Sequence, residues 1–136
     1  MGIDLTPLAS AIARLEQGYA RYLLDTTDQQ IRDGLVQRFE FTYDLSHKML
    51  KRCLAQAAPT PDEIAQMSFP AMIRTAAERG LLRSDWAQWR RFRDMRNITS
   101  HTYDEAKALE VVAIIPEFMA DAVFLRDRLV ERAAEA

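Results

Sequence analysis

The sequence predicts an all-α protein, an up-and-down bundle of four to six helices forming one domain over residues 1–136. Three observations carry that expectation. Glycine is scarce, at 4 of 136 residues, while Ala, Leu, Arg, Glu and Gln dominate, the composition of good helix formers. Runs of β-branched residues are few. Apolar residues recur at helical spacing between clusters of Pro, Asp, Ser and Thr that punctuate the chain. At this length a core can be buried without disulfide or metal staples.

Each element follows from its punctuation. Thr6 as N-cap and Pro7 at the first helical position open helix one, which repeats Leu8, Ile12, Leu15, Tyr19 and Tyr22. Asp25 to Asp28 break it and cap helix two, the longest, running from about Gln29 to Ala57. Ile31, Leu35, Phe39, Thr42, Ser46, Met49 and Cys53 line one face, widened by Val36, Tyr43, Leu50 and Leu54. Phe41 and Leu45 form a second apolar strip nearly opposite. A helix apolar on two sides needs two neighbours, so helix two is expected at the centre of the bundle or at a subunit interface.

Pro59 and Pro61 end it, and Thr60 with Glu63 has the spacing of a capping box opening a short turn. Ser68-Phe69-Pro70 opens helix three, which closes at Gly80. Ser84-Asp85 caps helix four, which carries Trp86, Trp89, Phe92, Met95 and Ile98. Asp104-Glu105 caps a last helical region to about Ala134. Pro116 lies inside it, which predicts a kink or a break into two helices.

The bulk numbers exclude several classes. A single cysteine, Cys53, leaves no internal disulfide and no cysteine-based zinc site. No stretch approaches the ~20 apolar residues of a membrane span, and the N-terminus has no charged-then-apolar signal pattern, so a cytoplasmic protein is expected. The net charge of −2 speaks against broad electrostatic binding of nucleic acid. Its distribution is uneven: residues 74–101 hold seven arginines against three carboxylates, and the rest of the chain holds eleven basic against seventeen acidic residues. A basic patch on an acidic body suits a small phosphate-bearing target, although arginine-rich helix faces are usually just solvated.

That basic stretch ends in Arg96-Asn97-Ile98-Thr99-Ser100-His101-Thr102-Tyr103. Arginine binds phosphate in a fork geometry and histidine moves protons near neutral pH, a combination suited to phosphodiester chemistry. On an ideal helix Arg96 and His101 stand about 140° apart and share no face. Either the helix ends between them or each acts with groups from elsewhere. Thr99, Ser100 and Thr102 compete for backbone hydrogen bonds, which favours unwinding there. Arg96 follows Trp89 and Phe92 on the apolar side of helix four, where a guanidinium requires a carboxylate or a phosphate. Glu40 or Asp44 of helix two is the expected ion-pair partner, in preference to a metal site for which no further ligand accompanies them. Arg90, Arg93 and Asn97 form a separate polar stripe aimed toward His101, as candidate phosphate-binding groups. A histidine near a helix end is more often a cap than a catalyst. His47 reads as a core or interface histidine, and the Trp86/Trp89 pair as core rather than a base-stacking platform.

The segment from Arg96 to Glu105 resembles the R-x4-H-x-Y signature of HEPN-domain proteins, and more narrowly the nucleotidyltransferase substrate-binding proteins that include the HepT-like toxins. The likeness extends over roughly residues 5–130. FEFTYDLSHKMLK at 39–51 resembles the family's second helix, and SFPAMIRTA at 68–76 with GLL at 80–82 its third. WAQW at 86–89 and DMRN at 94–97 precede the motif as they do in the family. His47 departs from the pattern, which has an aromatic there, usually tryptophan.

The resemblance implies a homodimer whose two motifs line one cleft, encoded beside a minimal nucleotidyltransferase. It implies a toxin–antitoxin pair in which this chain is a metal-independent ribonuclease needing no cofactor, with Arg96 and His101 catalytic. It also implies silencing by transfer of AMP to Tyr103. His101 would then act as general base or acid and Arg96 would stabilise the charge on the phosphorane. Two other functions remain open: a non-catalytic subunit presenting substrate to the nucleotidyltransferase, and a plain helical interaction domain.

Overall fold

The computed structural model describes residues 3–135. Its elements are α1 (Thr6–Leu24), α2 (Gln29–Ala57), α3 (Pro61–Ala65), α4 (Phe69–Glu78), α5 (Trp86–Asn97), a 3₁₀ turn (Thr99–His101) and α6 (Glu105–Glu135). The chain is an all-α bundle with no strand among the described residues.

The helix starts follow the local chemistry of their caps. Asp28 opens α2, its carboxylate accepting the Gln30 and Ile31 backbone N–H groups at 2.9 and 3.1 Å. Ser68 Oγ accepts the Ala71 N–H and opens α4. Asp85 accepts the Gln88 N–H at 3.3 Å and opens α5, while Asp104 accepts the Ala106 N–H at 3.0 Å and opens α6. Each satisfies donors that a helix start leaves orphaned. Gly80, at φ 72°, ends the α4 segment in the left-handed conformation that favours glycine.

Three expectations about these boundaries fail in detail. Thr6 is not the N-cap: Leu5 holds that position, and Asp4 takes the Thr6 N–H at 3.0 Å. An aspartate two residues before an N–H closes this turn readily. Thr60 makes no side-chain cap bond, so the capping box does not form, although the short α3 does. Pro116 does not divide the last helix, which runs unbroken to Glu135. Proline removes one backbone bond, and the buried residues around it, Val112, Ile115 and Phe118, hold both halves on the core.

Helix α2 is the centre of the bundle, touching α1, α3, α4, α5, α6 and the 3₁₀ turn. Thr42 and Ser46 sit fully buried on its apolar face because their hydroxyls bond back to the Arg38 and Thr42 carbonyls, at 2.7 and 2.8 Å. Phe118 of α6 anchors the core, meeting Phe39 of α2 at 5.0 Å and Phe92 of α5 at 5.2 Å between ring centroids, both edge-on. Trp89 stands edge-on to Phe92 at 5.2 Å. Burial of Trp89 and Phe92 therefore lays α5 against α2 and α6, which fixes what its later residues can reach. The second apolar strip divides: Leu45 packs against the core, while Phe41 stays 60% exposed.

Buried polar groups mark two further junctions. Asp121 of α6 is closed off from solvent and accepts hydrogen bonds from Ser84 Oγ at 3.0 Å and Arg83 Nη1 at 3.2 Å. Burial pushes its carboxyl upward, against the lowering effect of those donors. Arg32, at the start of α2, is buried and pairs with Glu105 in the first turn of α6 at 3.4 Å.

Candidate functional site

Four residues after the buried Phe92, Arg96 emerges from α5 facing α2. Asp44 receives it in a fork, Nε to Oδ1 at 2.8 Å and Nη2 to Oδ2 at 3.1 Å, and Glu40, one turn earlier on α2, lies 3.8 Å from Nη2. The expected ion pair is thus made by both carboxylates, Asp44 the closer. The hydrogen-bonded Asp44 carboxylate pushes the guanidinium still further up, so its charge is fixed. Nη1 has only a long contact, 3.4 Å to Thr99 Oγ1, and retains N–H capacity for an incoming anion.

Helix α5 ends at Asn97, and residues 99–101 tighten into a single 3₁₀ turn. Unwinding between Arg96 and His101 is the expected outcome. Thr99 is buried at the pivot, its Oγ1 lying 2.6 Å from Glu40 Oε2 and 2.8 Å from the Arg96 carbonyl. The hydroxyl proton goes to the carboxylate, a charge-assisted bond that ties the turn to α2. Thr102 Oγ1 donates to the Thr99 carbonyl at 3.1 Å and tightens the turn from its far side. The chain then leaves through the Asp104 cap into α6.

His101 and Tyr103 project from this pinned turn into solvent. Tyr103 is 87% exposed, and its ring stands 6.3 Å from the His101 imidazole at 70°. Within one chain Arg96 and His101 make no direct contact: the guanidinium turns to α2 and the imidazole to water.

The members of the predicted phosphate stripe take different places. Arg93 reaches to α4, its guanidinium lying 4.9 Å above the Phe69 ring, and Arg90 and Asn97 are exposed. The helical face they share ends with α5 at Asn97, before the 3₁₀ turn that carries His101. His47 packs edge-on against Phe69 at 5.4 Å and faces Tyr43 at 6.3 Å. Burial, with the nearby Lys51 charge, lowers its pKa. It fills an aromatic slot. Trp89 is core, as expected, and Trp86 is half-buried against Phe69 at 5.5 Å.

Sequence reasoning passed over two members of this arrangement. Thr99 reads as a helix breaker, but no local pattern signals that its hydroxyl also holds Glu40. The Arg32–Glu105 pair joins residues 73 positions apart, and no local pattern reports such a contact.

A family model described as nucleotidyltransferase substrate binding protein like matches residues 3–131. The chain belongs to this family. A Haemophilus influenzae relative, named probable ribonuclease HepT, is 40% identical over 138 residues, covering 96% of this chain and 94% of the relative. A solved Haemophilus influenzae structure, described as revealing the fold of a substrate binding domain of a nucleotidyltransferase, superposes with a TM-score of 0.86 at 39% identity. It covers 93% of this chain and 98% of that one. The substrate-binding fold and the HepT-like membership therefore agree with the sequence expectation. No helix among the described residues is long and apolar enough to cross a membrane.

Proposed function

We propose that this substrate-binding family member is an endoribonuclease that cleaves RNA with side chains alone, and that it is the toxin of a two-component pair silenced by a minimal nucleotidyltransferase. The observation that carries the reading is the division of labour in the octapeptide. A guanidinium of fixed charge and orientation is clamped on α2, and an imidazole stands in solvent on a turn tied to the same helix. The relative named probable ribonuclease HepT supports it.

In this reading two copies pair in the cytoplasm so that both motifs face one groove. One His101 takes the proton of the ribose 2′-OH as the oxygen attacks phosphorus. The second copy's His101 protonates the departing 5′-oxygen, leaving a 2′,3′-cyclic phosphate and a 5′-hydroxyl. Arg96 stabilises the added negative charge on the phosphorane through Nη1. Arg90, Arg93 and Asn97 act on flanking phosphates. Silencing follows from the exposure of Tyr103: its Oη attacks the α-phosphorus of ATP, pyrophosphate leaves, and the AMP ester places bulk and charge beside His101.

Incubating the purified chain with RNA tests this directly. Cleavage giving cyclic-phosphate ends, abolished by His101→Ala, supports the nuclease. Intact RNA at every protein concentration favours a second reading, a non-catalytic subunit presenting substrate, for which the description of the solved neighbour speaks. Mass measurement after incubation with the nucleotidyltransferase and ATP tests the modification. A gain of one AMP, absent in Tyr103→Phe, is expected, and a gain that persists in that variant removes the Tyr103 assignment.

A further inference from the structure

Away from the octapeptide, two depressions of about 390 and 360 Å³ run along the seam between α1 and α2 and share Gly34 and Arg38. Both are within the size range of small-ligand sites. Arg14 lines the first, Arg21 the second, and Arg38 both, with no carboxylate in either lining. In a chain of net charge −2 this is a locally cationic groove. Neither Arg14 nor Arg21 forms an ion pair among the described residues. Arg38 donates from Nη1 to the Arg14 carbonyl at 2.7 Å, which fixes its stem across the seam. Phe41, 60% exposed, also lines the first depression.

Gly34 supplies an independent observation. It lies in the interior of α2, where glycine costs about 1 kcal/mol relative to alanine. A Cβ built there meets no atom within 4 Å, so no packing contact requires its absence. What the missing side chain preserves is the open floor shared by the two depressions.

We propose that this groove binds single-stranded RNA flanking the scissile nucleotide, a base stacking on Phe41 and phosphates meeting Arg14 and Arg38. The inference rests on the ribonuclease reading for its position on the substrate. Phe41 precedes Asp44 by three residues, so the two are neighbours on the surface of α2, and the Phe41 end of the groove is the end nearer the Arg96–Asp44 pair. From Gly34 to Thr42 the first depression extends about 12 Å along the helix axis. Exposed aromatics beside cations are the ordinary means of holding single strands without reading sequence. A second copy of the chain is a poorer occupant, because a two-fold contact sets a patch against itself and would bring the arginines onto their own images.

The test is fluorescence anisotropy of a labelled short oligouridylate titrated with the His101→Ala chain, so that binding is read without cleavage. Phe41→Ala in that background is expected to weaken binding about tenfold or more. Arg14→Gln is expected to reduce the slope of log affinity against log salt by about one. Gly34→Leu fills the floor while improving helix propensity, so it is expected to weaken binding with no loss of melting temperature. Unchanged affinity in all three variants overturns the proposal. So does a change in sedimenting mass with Phe41→Ala while RNA affinity at matched oligomeric state stays put, which would make the face a contact between copies. If the unmutated chain cleaves no RNA yet the groove variants still lose binding, the groove stands and only the nuclease reading fails.

Discussion

Arg96→Ala separates structural from chemical roles at this site. The substitution removes both bonds to Asp44 and the longer contact with Glu40, leaving two carboxylates four residues apart on α2. The pair is open to water, with the Arg96 side chain 30% and the Asp44 side chain 51% exposed, so screening holds its contribution to about 0.2–1 kcal/mol. The uncompensated like charges add about 0.2–0.5 kcal/mol. A total near 1 kcal/mol corresponds to a fall in melting temperature of about 3–5 °C for a chain of this size, too little to depopulate the fold. Loss of one preorganised donor to a developing anion, by contrast, costs about a hundredfold or more in rate. Arg96→Lys keeps the charge without the fork, so it should recover part of the melting temperature and little of the rate. Thermal unfolding followed by circular dichroism, beside initial rates on a fluorogenic RNA, reads both quantities. Cleavage at the unmutated rate by Arg96→Lys, or a loss of stability beyond about 4 kcal/mol in Arg96→Ala, would refute the division drawn here.

Three further outcomes are expected. His101→Asn, at an exposed position, should leave the melting temperature within the range of about 0.5 kcal/mol typical of surface changes while abolishing cleavage; a large drop in melting temperature would make the histidine structural. Phe118→Ala should destabilise by about 3–5 kcal/mol, measured by urea unfolding, because its ring meets Phe39, Tyr43, Trp89 and Phe92. His47→Phe tests a pH dependence. Burial and then Lys51 lower the folded-state pKa, opposed by Asp44 and assisted by Arg93, so on acidification the unfolded chain takes up the proton first. The stability of the unmutated protein is therefore full above about pH 6.5 and is lost as pH falls toward the depressed value. The melting-temperature advantage of His47→Phe should widen between pH 7.5 and pH 5.5, and a constant difference would show that the imidazole does not titrate between the two states.

The bundle was legible because its signals are local. Asp28, Ser68, Asp85 and Asp104 cap their helices by reaching two or three residues ahead, and the apolar spacing of α2 reports its burial directly. The end of α5 was legible for the same reason: Thr99 and its neighbours prefer backbone partners to a continued helix. Failures arose where tertiary packing outweighs local preference. Pro116 breaks a hydrogen bond that the packing around Ile115 and Phe118 makes dispensable. The phosphate stripe extrapolates a helical face that ends with α5, and Arg93 meets the Phe69 ring, a contact no local pattern reports. That Arg96 needs a carboxylate followed from its apolar side of the helix. That Thr99 joins the same clamp is a contact between distant segments, visible only once α5 lies on α2.

The Arg32–Glu105 pair has a mechanical consequence. Together with the Arg96 fork it moors the segment between residues 96 and 105 at both ends to one rod, α2, at points roughly 12–18 Å apart by helical rise. Between those ends the chain is held a third time, by the Thr99 hydroxyl on Glu40, so only residues 100–104 hang between two moorings. Its amplitude is governed by these moorings. Loosening either end should let the imidazole wander while the bundle beneath keeps its shape, and amide exchange of residues 98–104 would register that loosening before any other part of the molecule.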